Sequence, residues 1–118
     1  GWGLDVPAIT DAARATPKHR ISVHPDASGV PAGYAVTGRS GPSGFLQRLA
    51  VSPDAQRSGI GRALVEDAIT WSRRWRVETL AVNTQHDNTR ALALYESCGF
   101  QRRANGLQVL ERSLDGEW

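Results

Sequence analysis

The stretch that decides the fold is residues 45–64, which read FLQRLAVSPDAQRSGIGRAL. Residues 45–51 alternate along the chain and predict a central β-strand. One face of this strand is expected to carry Phe45, Gln47, Leu49 and Val51, and the other Leu46, Arg48 and Ala50. Pro53 ends the strand, and a turn with Gly59 and Gly61 leads into a helix. The order of strand, glycine turn and helix is typical of a layered α/β domain.

The helix after the turn is predicted to begin at Ile60 and to run for about 16 residues, or about 24 Å. Its apolar positions are Ile60, Ala63, Leu64, Ala68, Trp71 and Trp75. The two tryptophans are expected to pack this helix and not to hold a ligand. On the outer side, Arg62 and Glu66 have the i, i+4 spacing of a favourable ion pair.

Further elements follow from the same patterns on both sides of this stretch. Downstream we expect a strand over 79–82, a polar loop over 83–87, and a second helix from Asn88 or Thr89 that Gly99 terminates in the left-handed conformation. Hairpins are predicted from 21–23 and 34–37, with a turn over 25–29, and from 100–103 and 107–114, with a turn at 105–106. Asp5 is expected to cap a short N-terminal helix. Together these elements predict an α/β (α+β layered) fold with a mixed, mostly antiparallel central sheet flanked by helices.

Length and composition limit the class of protein. A chain of 118 residues with 40% hydrophobic residues and a net charge of +2 fits one domain over 1–118. The single Cys98 can make neither an internal disulfide nor a zinc site, so no metal is expected. Since no apolar run approaches the roughly 20 residues of a membrane span and no secretion signal is visible, we expect a cytoplasmic protein without a membrane partner.

A small basic cluster consists of Arg73, Arg74 and Arg76. A nucleic-acid-binding domain would be expected to show a denser basic stripe with interleaved aromatic residues. The cluster is therefore interpreted as a solvated helix end that the helix dipole favours, and nucleic acid is not expected as a partner.

The two glycines at the start of the helix suit a phosphate-binding turn. They allow close approach of a ligand to the backbone, and the first-turn N–H groups attract anions. A lone G-x-G also occurs where a strand merely packs on a helix, so the motif needs context. A P-loop is excluded because Arg62 and Ala63 follow Gly61. A dinucleotide fingerprint is excluded by Leu64 and by the lack of an acidic residue in 79–83.

Two sequence blocks together resemble the acyl-CoA-dependent N-acetyltransferases of the GNAT superfamily. The pattern Gln/Arg-x-x-Gly-x-Gly/Ala is matched by Gln56, Gly59 and Gly61, after a strand that ends in LAVSP. The pattern N-x-x-A-x-x-L-Y-x-x-x-G-F is matched in full by residues 88–100. Both blocks occur in the family's order and spacing, and the clear match covers about residues 45–100.

The resemblance implies a binding site for acetyl-CoA and a catalytic tyrosine. In the family, strand backbone at the positions of Leu49, Ala50 and Val51 pairs with the pantetheine arm, and Asn88 would hydrogen-bond the cofactor. Tyr95 lies where family members keep a phenol near the thioester sulfur, able to protonate the leaving thiolate. The pyrophosphate would be held by the loop after Gln56, through the amides of Arg57, Ser58, Gly59, Ile60, Gly61 and Arg62. The implied reaction is direct transfer of the acetyl group to a primary amine of a small molecule or peptide.

The chain departs from the family pattern in two respects. Many members place a glutamate base on the strand before the glycine turn or five residues before the motif asparagine, where this chain has Phe45, Gln47 and Asn83. The amine's proton would then pass to ordered water, to peptide carbonyls of the split between strands, or to His86. A CoA-binding module without transferase activity is the alternative function that this departure leaves open.

The second departure is the short N-terminal region, from which the family's usual first strand is missing. An unpaired sheet edge is expected there, covered by an upstream domain or by a second subunit of a homodimer. The chain is accordingly interpreted as the C-terminal part of a longer acetyltransferase, of single or tandem arrangement.

Overall fold

A mixed six-stranded sheet forms the centre of the chain in a computed structural model that describes residues 18–56, 58–84, 88–102 and 109–114. The spatial order is β1-β2-β3-β4-β6-β5, and among these described strands only β3 and β4 pair in parallel. The strands are β1 (Lys18–Pro25), β2 (Pro31–Ser40), β3 (Ser43–Val51), β4 (Thr79–Asn83), β5 (Gln101–Arg102) and β6 (Val109–Ser113). The helices are α1 (Ile60–Arg74) and α2 (Thr89–Ser97), and a short 3₁₀ turn spans Pro53–Ala55. The mixed, mostly antiparallel sheet with central β3 confirms the predicted fold.

The two parallel strands separate partway along the sheet. β3 and β4 are in register from Ser43↔Thr79 to Leu46↔Val82, where their pairing ends. β3 continues to Val51 along β2. Between residues 48 and 51, the side of β3 that faces away from β2 therefore has no ladder partner among the described strands.

A β-bulge at Gln47 corrects the predicted alternation of β3. Val36 pairs with Arg48 while Thr37 pairs with Leu46, so one extra residue lies between them. Leu46 consequently joins the core together with Leu49 and Val51, instead of facing away from them. Phe45, expected on the face of Leu49, is 42% exposed. Strict alternation failed because a bulge shifts the side-chain phase by one residue.

Helix α1 has the predicted position and length, but its buried stripe differs. The buried positions are Ile60, Leu64, Val65, Ala68, Ile69 and Ser72. Trp75 follows the helix and is 50% exposed, and the Arg39 guanidinium lies 4.4 Å from its ring centroid and 5.9 Å from that of Trp71. The expectation that both tryptophans pack the helix is wrong for Trp75, which is the C-cap residue after the last turn and has its half-exposed ring beside the Arg39 cation.

The main core lies on one face of the sheet, under both helices. Leu80 and Leu110 of adjacent strands are 0% and 1% exposed and share a cluster with Leu64 of α1 and Leu92 of α2. In the described part of the chain, no helix is both long and apolar enough to cross a bilayer.

The hairpin turn between β1 and β2 is held by one carboxylate. Asp26 Oδ1 accepts hydrogen bonds from Ser28 N at 2.8 Å, Ser28 Oγ at 2.7 Å and Val30 N at 3.0 Å. These bonds, from Ser28 first, lower the pKa of Asp26. The predicted N-terminal helix, His86 and the turn at 105–106 lie outside the described residues.

A bidentate ion pair attaches the edge strand β1 to α1. Arg20 Nε and Nη2 donate to the two carboxylate oxygens of Asp67, both at 2.8 Å. The hydrogen bond from Arg20 lowers the pKa of Asp67, and burial opposes that shift. We expect the pair to tie the edge strand to the layer of helices.

We expect Asp67→Asn to destabilise the protein by about 0.5–1 kcal/mol at pH 7, as for other partly exposed pairs. Because folding lowers the pKa of Asp67, its contribution is present above the ordinary Asp pKa of about 3.9 and is lost as the pH falls through the lower folded value. Thermal melts of wild type and variant should differ at pH 7 and converge in acid. A gap in melting temperature that persists unchanged to pH 2 would contradict this account.

Candidate functional site

A groove of about 790 Å³ lies between the start of α1, the end of β3 and the helix α2. Of the residues singled out in the sequence, it is lined by Leu49, Val51, Gln56, Gly59, Gly61, Arg62 and Asn88. The sheet places the open edge of β3 at this groove, and the chain turns there into α1. The fold thus brings the two sequence motifs onto one surface.

The remaining predicted residues have other surroundings. Ala50 packs with Tyr34 and Val36 on the opposite face of the sheet, and Ile60 is buried in the core. The Ser58 hydroxyl donates to the Ala55 carbonyl. Arg57 lies outside the described residues. Since the predicted role of the residues from 57 to 62 rests on backbone amides, these side-chain positions neither confirm nor contradict it.

The first turn of α1 offers backbone donors to the groove. Ala63 N donates to Gly59 O at 3.0 Å, which leaves the amides of Ile60, Gly61 and Arg62 without a partner from the helix's own ladder. No side chain in the described residues caps this end. Gly59, the N-cap, has φ of 87°, which glycine adopts without strain. The site is therefore suited to an anion.

Gly61 allows α1 and α2 to approach each other. A Cβ atom at this position would lie 3.2 Å from Leu94 Cδ2 and 3.7 Å from Val51 Cγ2. The glycine thus keeps the groove wall flat where α1, α2 and β3 meet.

Two arginines on the groove are held by side chains of facing elements. Arg90 Nη1 donates to Gln56 Oε1, which links α2 to the loop before α1. Arg62 donates to Glu66 Oε1 at 3.2 Å, as its spacing predicts, and to Ser97 Oγ at 3.3 Å. Both arginines line the groove, and the charge of Arg62 is partly balanced by the Glu66 carboxylate.

Sequence reasoning missed most of the wall that α2 contributes. The groove residues of α2 that the motif does not name are Thr89, Arg90, Ala93 and Ser97, and the motif residues Ala91 and Leu94 were not predicted to contact the cofactor. Arg90, Leu94 and Ser97 have the spacing of one helical face, so the signal was present in the period of the motif. The motif names only Leu94 of these three, so Arg90 and Ser97 were not predicted to line the site.

Asn88 begins α2 as its N-cap. Its Oδ1 accepts a hydrogen bond from Ala91 N at 3.1 Å. The side-chain amide nitrogen is not needed for this cap and belongs to a residue that lines the groove. Asn88 can therefore cap the helix and donate to a ligand with the same side chain.

Tyr95 lies in the last turn of α2 and is buried, with 5% of its surface exposed. Its ring centroid is 5.8 Å from that of Phe100. Burial raises the pKa of Tyr95 to about 12, with a smaller effect from Cys98. The phenol therefore carries its proton at any physiological pH, so it can act as a donor and not as a base. Tyr95 is not among the described residues that line the groove, because its ring is buried in the core. Cys98 packs against the core beside it.

Comparison with known proteins gives a consistent result. The sequence profile described as "Acetyltransferase (GNAT) family" matches residues 5–100. A mycothiol acetyltransferase of Geodermatophilus obscurus is 34% identical over 96 residues, which are 80% of this chain and 28% of that protein. The ribosomal protein bS18-alanine N-acetyltransferase of Escherichia coli K12 is 41% identical over 73 residues, 62% of this chain and 49% of that protein.

A solved structure agrees with these sequence matches. The crystal structure of the ribosomal-protein-S18-alanine N-acetyltransferase from Escherichia coli superposes with a TM-score of 0.74 at 27% identity, covering 92% of this chain and 77% of that one. The present chain spans about half or less of the length of the two relatives matched by sequence.

Proposed function

Because this chain belongs to the acetyltransferase (GNAT) family, we propose that it binds acetyl-CoA and transfers the acetyl group to a primary amine. The observation that carries the proposal is the groove in which an uncapped helix start, an unpaired strand edge and the Asn88 side chain meet. Each of these features offers hydrogen bonds that the described fold itself does not use.

The groove residues fit the parts of a CoA molecule. The amides of Ile60, Gly61 and Arg62 would hold the pyrophosphate, with Arg62 and Arg90 contributing charge. The pantetheine arm carries amide groups, and the open edge of β3 over residues 48–51 would pair with them as another strand does. Leu49 and Val51 supply the apolar wall for the carbon chain. Bound acetyl-CoA supplies the activated acetyl thioester.

Tyr95 would supply the proton that the departing sulfur needs. In direct transfer, the amine nitrogen bonds to the acetyl carbon while the carbon–sulfur bond breaks. A phenol that stays protonated at neutral pH can donate to the sulfur as negative charge develops there. Since Tyr95 packs in the core against Phe100, its ring is held in one orientation.

More specifically, we propose that the acceptor is the amino group of an alanine at the N-terminus of a peptide. This follows the printed activity of the Escherichia coli relative, which is 41% identical over the aligned region. A cytoplasmic setting and a covering partner, either a second copy or an upstream domain, are part of the same proposal. Among the described strands, nothing pairs with the outer edge of β1.

The two roles of Asn88 can be separated by substitution. Asn88→Ala removes the cap of α2 and should destabilise the fold by about 1 kcal/mol. Asn88→Asp keeps an oxygen acceptor for Ala91 N, so the fold should stay near wild-type stability. It removes the amide donor and adds a negative charge to a groove proposed to hold an anionic cofactor, so acetyl-CoA affinity should fall about tenfold, the effect of one hydrogen bond. Thermal melts and calorimetric titrations measure both, and equal acetyl-CoA affinity of wild type and Asn88→Asp would exclude the cofactor contact.

The proposed function is tested by thiol release from acetyl-CoA. The chain is incubated with acetyl-CoA and, in turn, an alanine-leading peptide, an aminoglycoside and a simple alkylamine, and acetylated product is identified by mass. We expect amine-dependent release with at least one acceptor. Saturable acetyl-CoA binding without release on any of them would favour the non-catalytic CoA-binding module, and no binding would refute both functions.

A further inference from the structure

A second cavity, of about 520 Å³, opens where β3 and β4 separate. Its walls include Phe45 and Gln47 of β3, Asn83 at the end of β4, and Glu111 of β6. β3 contributes Leu49 and Val51 to the cofactor groove and Phe45 and Gln47 to this cavity. Strand β3 therefore lines both the second cavity and the cofactor groove, and it runs from one to the other where β3 and β4 separate.

Glu111 lies in one row with Phe45 across the sheet. Phe45 is in register with Ala81, and Ala81 with Glu111. Their chain neighbours Leu46, Val82 and Leu110 are in the core under the helices, and side chains alternate along strands, so this row faces the other side of the sheet. Two inter-strand steps separate the ends of the row by about 10 Å, which is room for a small amine.

The chemistry of this cavity differs from that of the groove. Glu111 is the one carboxylate among its described lining residues, whereas Gln47 and Asn83 are neutral amides that hold no charge at neutral pH. Phe45 is 42% exposed and presents an aromatic surface. An ammonium group is attracted both by a carboxylate and by the face of an aromatic ring.

We propose that Glu111 binds the acceptor ammonium and takes its proton, and that the cavity selects primary amines with no carboxylate beside the amino group. The inference rests on the proposed acetyl transfer. It assigns the residue that accepts the amine's proton, since the positions where many family members have a glutamate base carry Phe45, Gln47 and Asn83 here. Glu111 is partly buried, and a second carboxylate brought close to it by a free amino acid would be repelled.

The protons balance in this assignment. The ammonium gives one proton to Glu111, directly or through one water, and the neutral amine then attacks the acetyl carbon. As the carbon–nitrogen bond forms and the carbon–sulfur bond breaks, the sulfur takes the proton of Tyr95. The second proton from nitrogen restores Tyr95, and Glu111 releases its proton to solvent. The products are the acetylated amine, CoA thiol and one proton.

The test compares alaninamide with free alanine, which differ in the carboxylate beside the amine. Glu111→Gln keeps the size of the side chain and removes its charge. The matched control is Glu78→Gln, the same change at an exposed residue outside both cavities. In wild type and in Glu78→Gln, kcat/KM for alaninamide should exceed that for alanine by at least about tenfold, because the alanine carboxylate is repelled by Glu111. In Glu111→Gln, kcat/KM for alaninamide should fall by at least as much and the preference should shrink towards unity, with acetyl-CoA affinity unchanged.

Binding of alaninamide to the CoA-loaded chain, followed by NMR titration, separates this inference from the proposed function. If wild type shows no turnover but binds alaninamide at least tenfold more tightly than Glu111→Gln does, the amine-binding role of Glu111 stands and the transfer proposal fails. Equal alaninamide binding by both proteins, absence of binding to wild type, or an unchanged amine preference in Glu111→Gln overturns the assignment. If Glu111→Gln lowers the melting temperature, Glu111→Asp is measured as well. This variant keeps the carboxylate and should keep the preference for alaninamide over alanine.

Discussion

Tyr95→Phe is expected to lower turnover by a factor of 10² to 10⁴ while acetyl-CoA binding stays nearly unchanged. That range is typical for the loss of a general acid. The phenol would act only as the carbon–sulfur bond breaks, so its removal should affect the transition state and not the bound ground state. Phenylalanine keeps the ring that packs against Phe100, and the stability change should stay near 1 kcal/mol. Steady-state kinetics and calorimetry measure the two effects.

The chain offers a matched control in Tyr34, which is 6% exposed and packs with Val36 and Ala50 on the other face of the sheet. Tyr34→Phe removes the same hydroxyl from a similarly buried ring. It should leave turnover within a few-fold of wild type. If both variants lose activity equally, or if Tyr95→Phe loses acetyl-CoA affinity in proportion to turnover, Tyr95 is not the acid.

The second large effect is expected at Gly59. Gly59→Val introduces a branched side chain at the N-cap of α1, where it would cover the amides of the first turn. Loss of one charge-assisted bond to the pyrophosphate costs about 1.5–3 kcal/mol, so acetyl-CoA affinity should fall about 10- to 100-fold. Calorimetric titration of the folded variant measures this loss.

Backbone strain alone must be separated from loss of the site. Gly29, in the β1–β2 turn, has φ of 89°, and Gly59 has φ of 87°; a Cβ at either would meet nothing within 4 Å. Gly29→Val should therefore cost similar stability, of about 1–2 kcal/mol, and leave acetyl-CoA affinity intact. Equal affinities of the two variants would show that the start of α1 does not hold the cofactor.

The sequence predicted those parts of the fold that depend on local patterns. Helix α1, the Asn88 start of α2 and the left-handed Gly99, with φ of 94°, follow from periodicity, capping and glycine chemistry within a few neighbouring residues. The spatial order of the strands is compatible with the mixed, mostly antiparallel sheet that the predicted helices and strands indicate. The bulge at Gln47 was not predictable, because it depends on how β3 pairs with β2, and no residue near it marks the shift of phase.

In the candidate site, too, the residues of a local motif were predicted, and a residue positioned by strand pairing was not. Gly59, Gly61 and Asn88 were found because the motif names them, and the structure places all three on one groove. Glu111 was missed, because β6 follows β4 by 26 or more residues and reaches its neighbour only through the antiparallel pairing of Ala81 with Glu111. Which residue of β6 lies beside Ala81 depends on the pairing of two strands that are distant in sequence. No sequence motif lies on β6, so the pattern of residues along the chain does not indicate this pairing.

The most direct test of the account is an NMR titration of the ¹⁵N-labelled chain with acetyl-CoA, followed through glycine amides. We expect the signals of Gly59 and Gly61 to shift most and to saturate together, while those of Gly29 and Gly41 in the strand turns stay in place. Saturable shifts centred on any other surface, or no shift at Gly59 and Gly61, would contradict the claim that the groove between α1 and α2 binds acetyl-CoA.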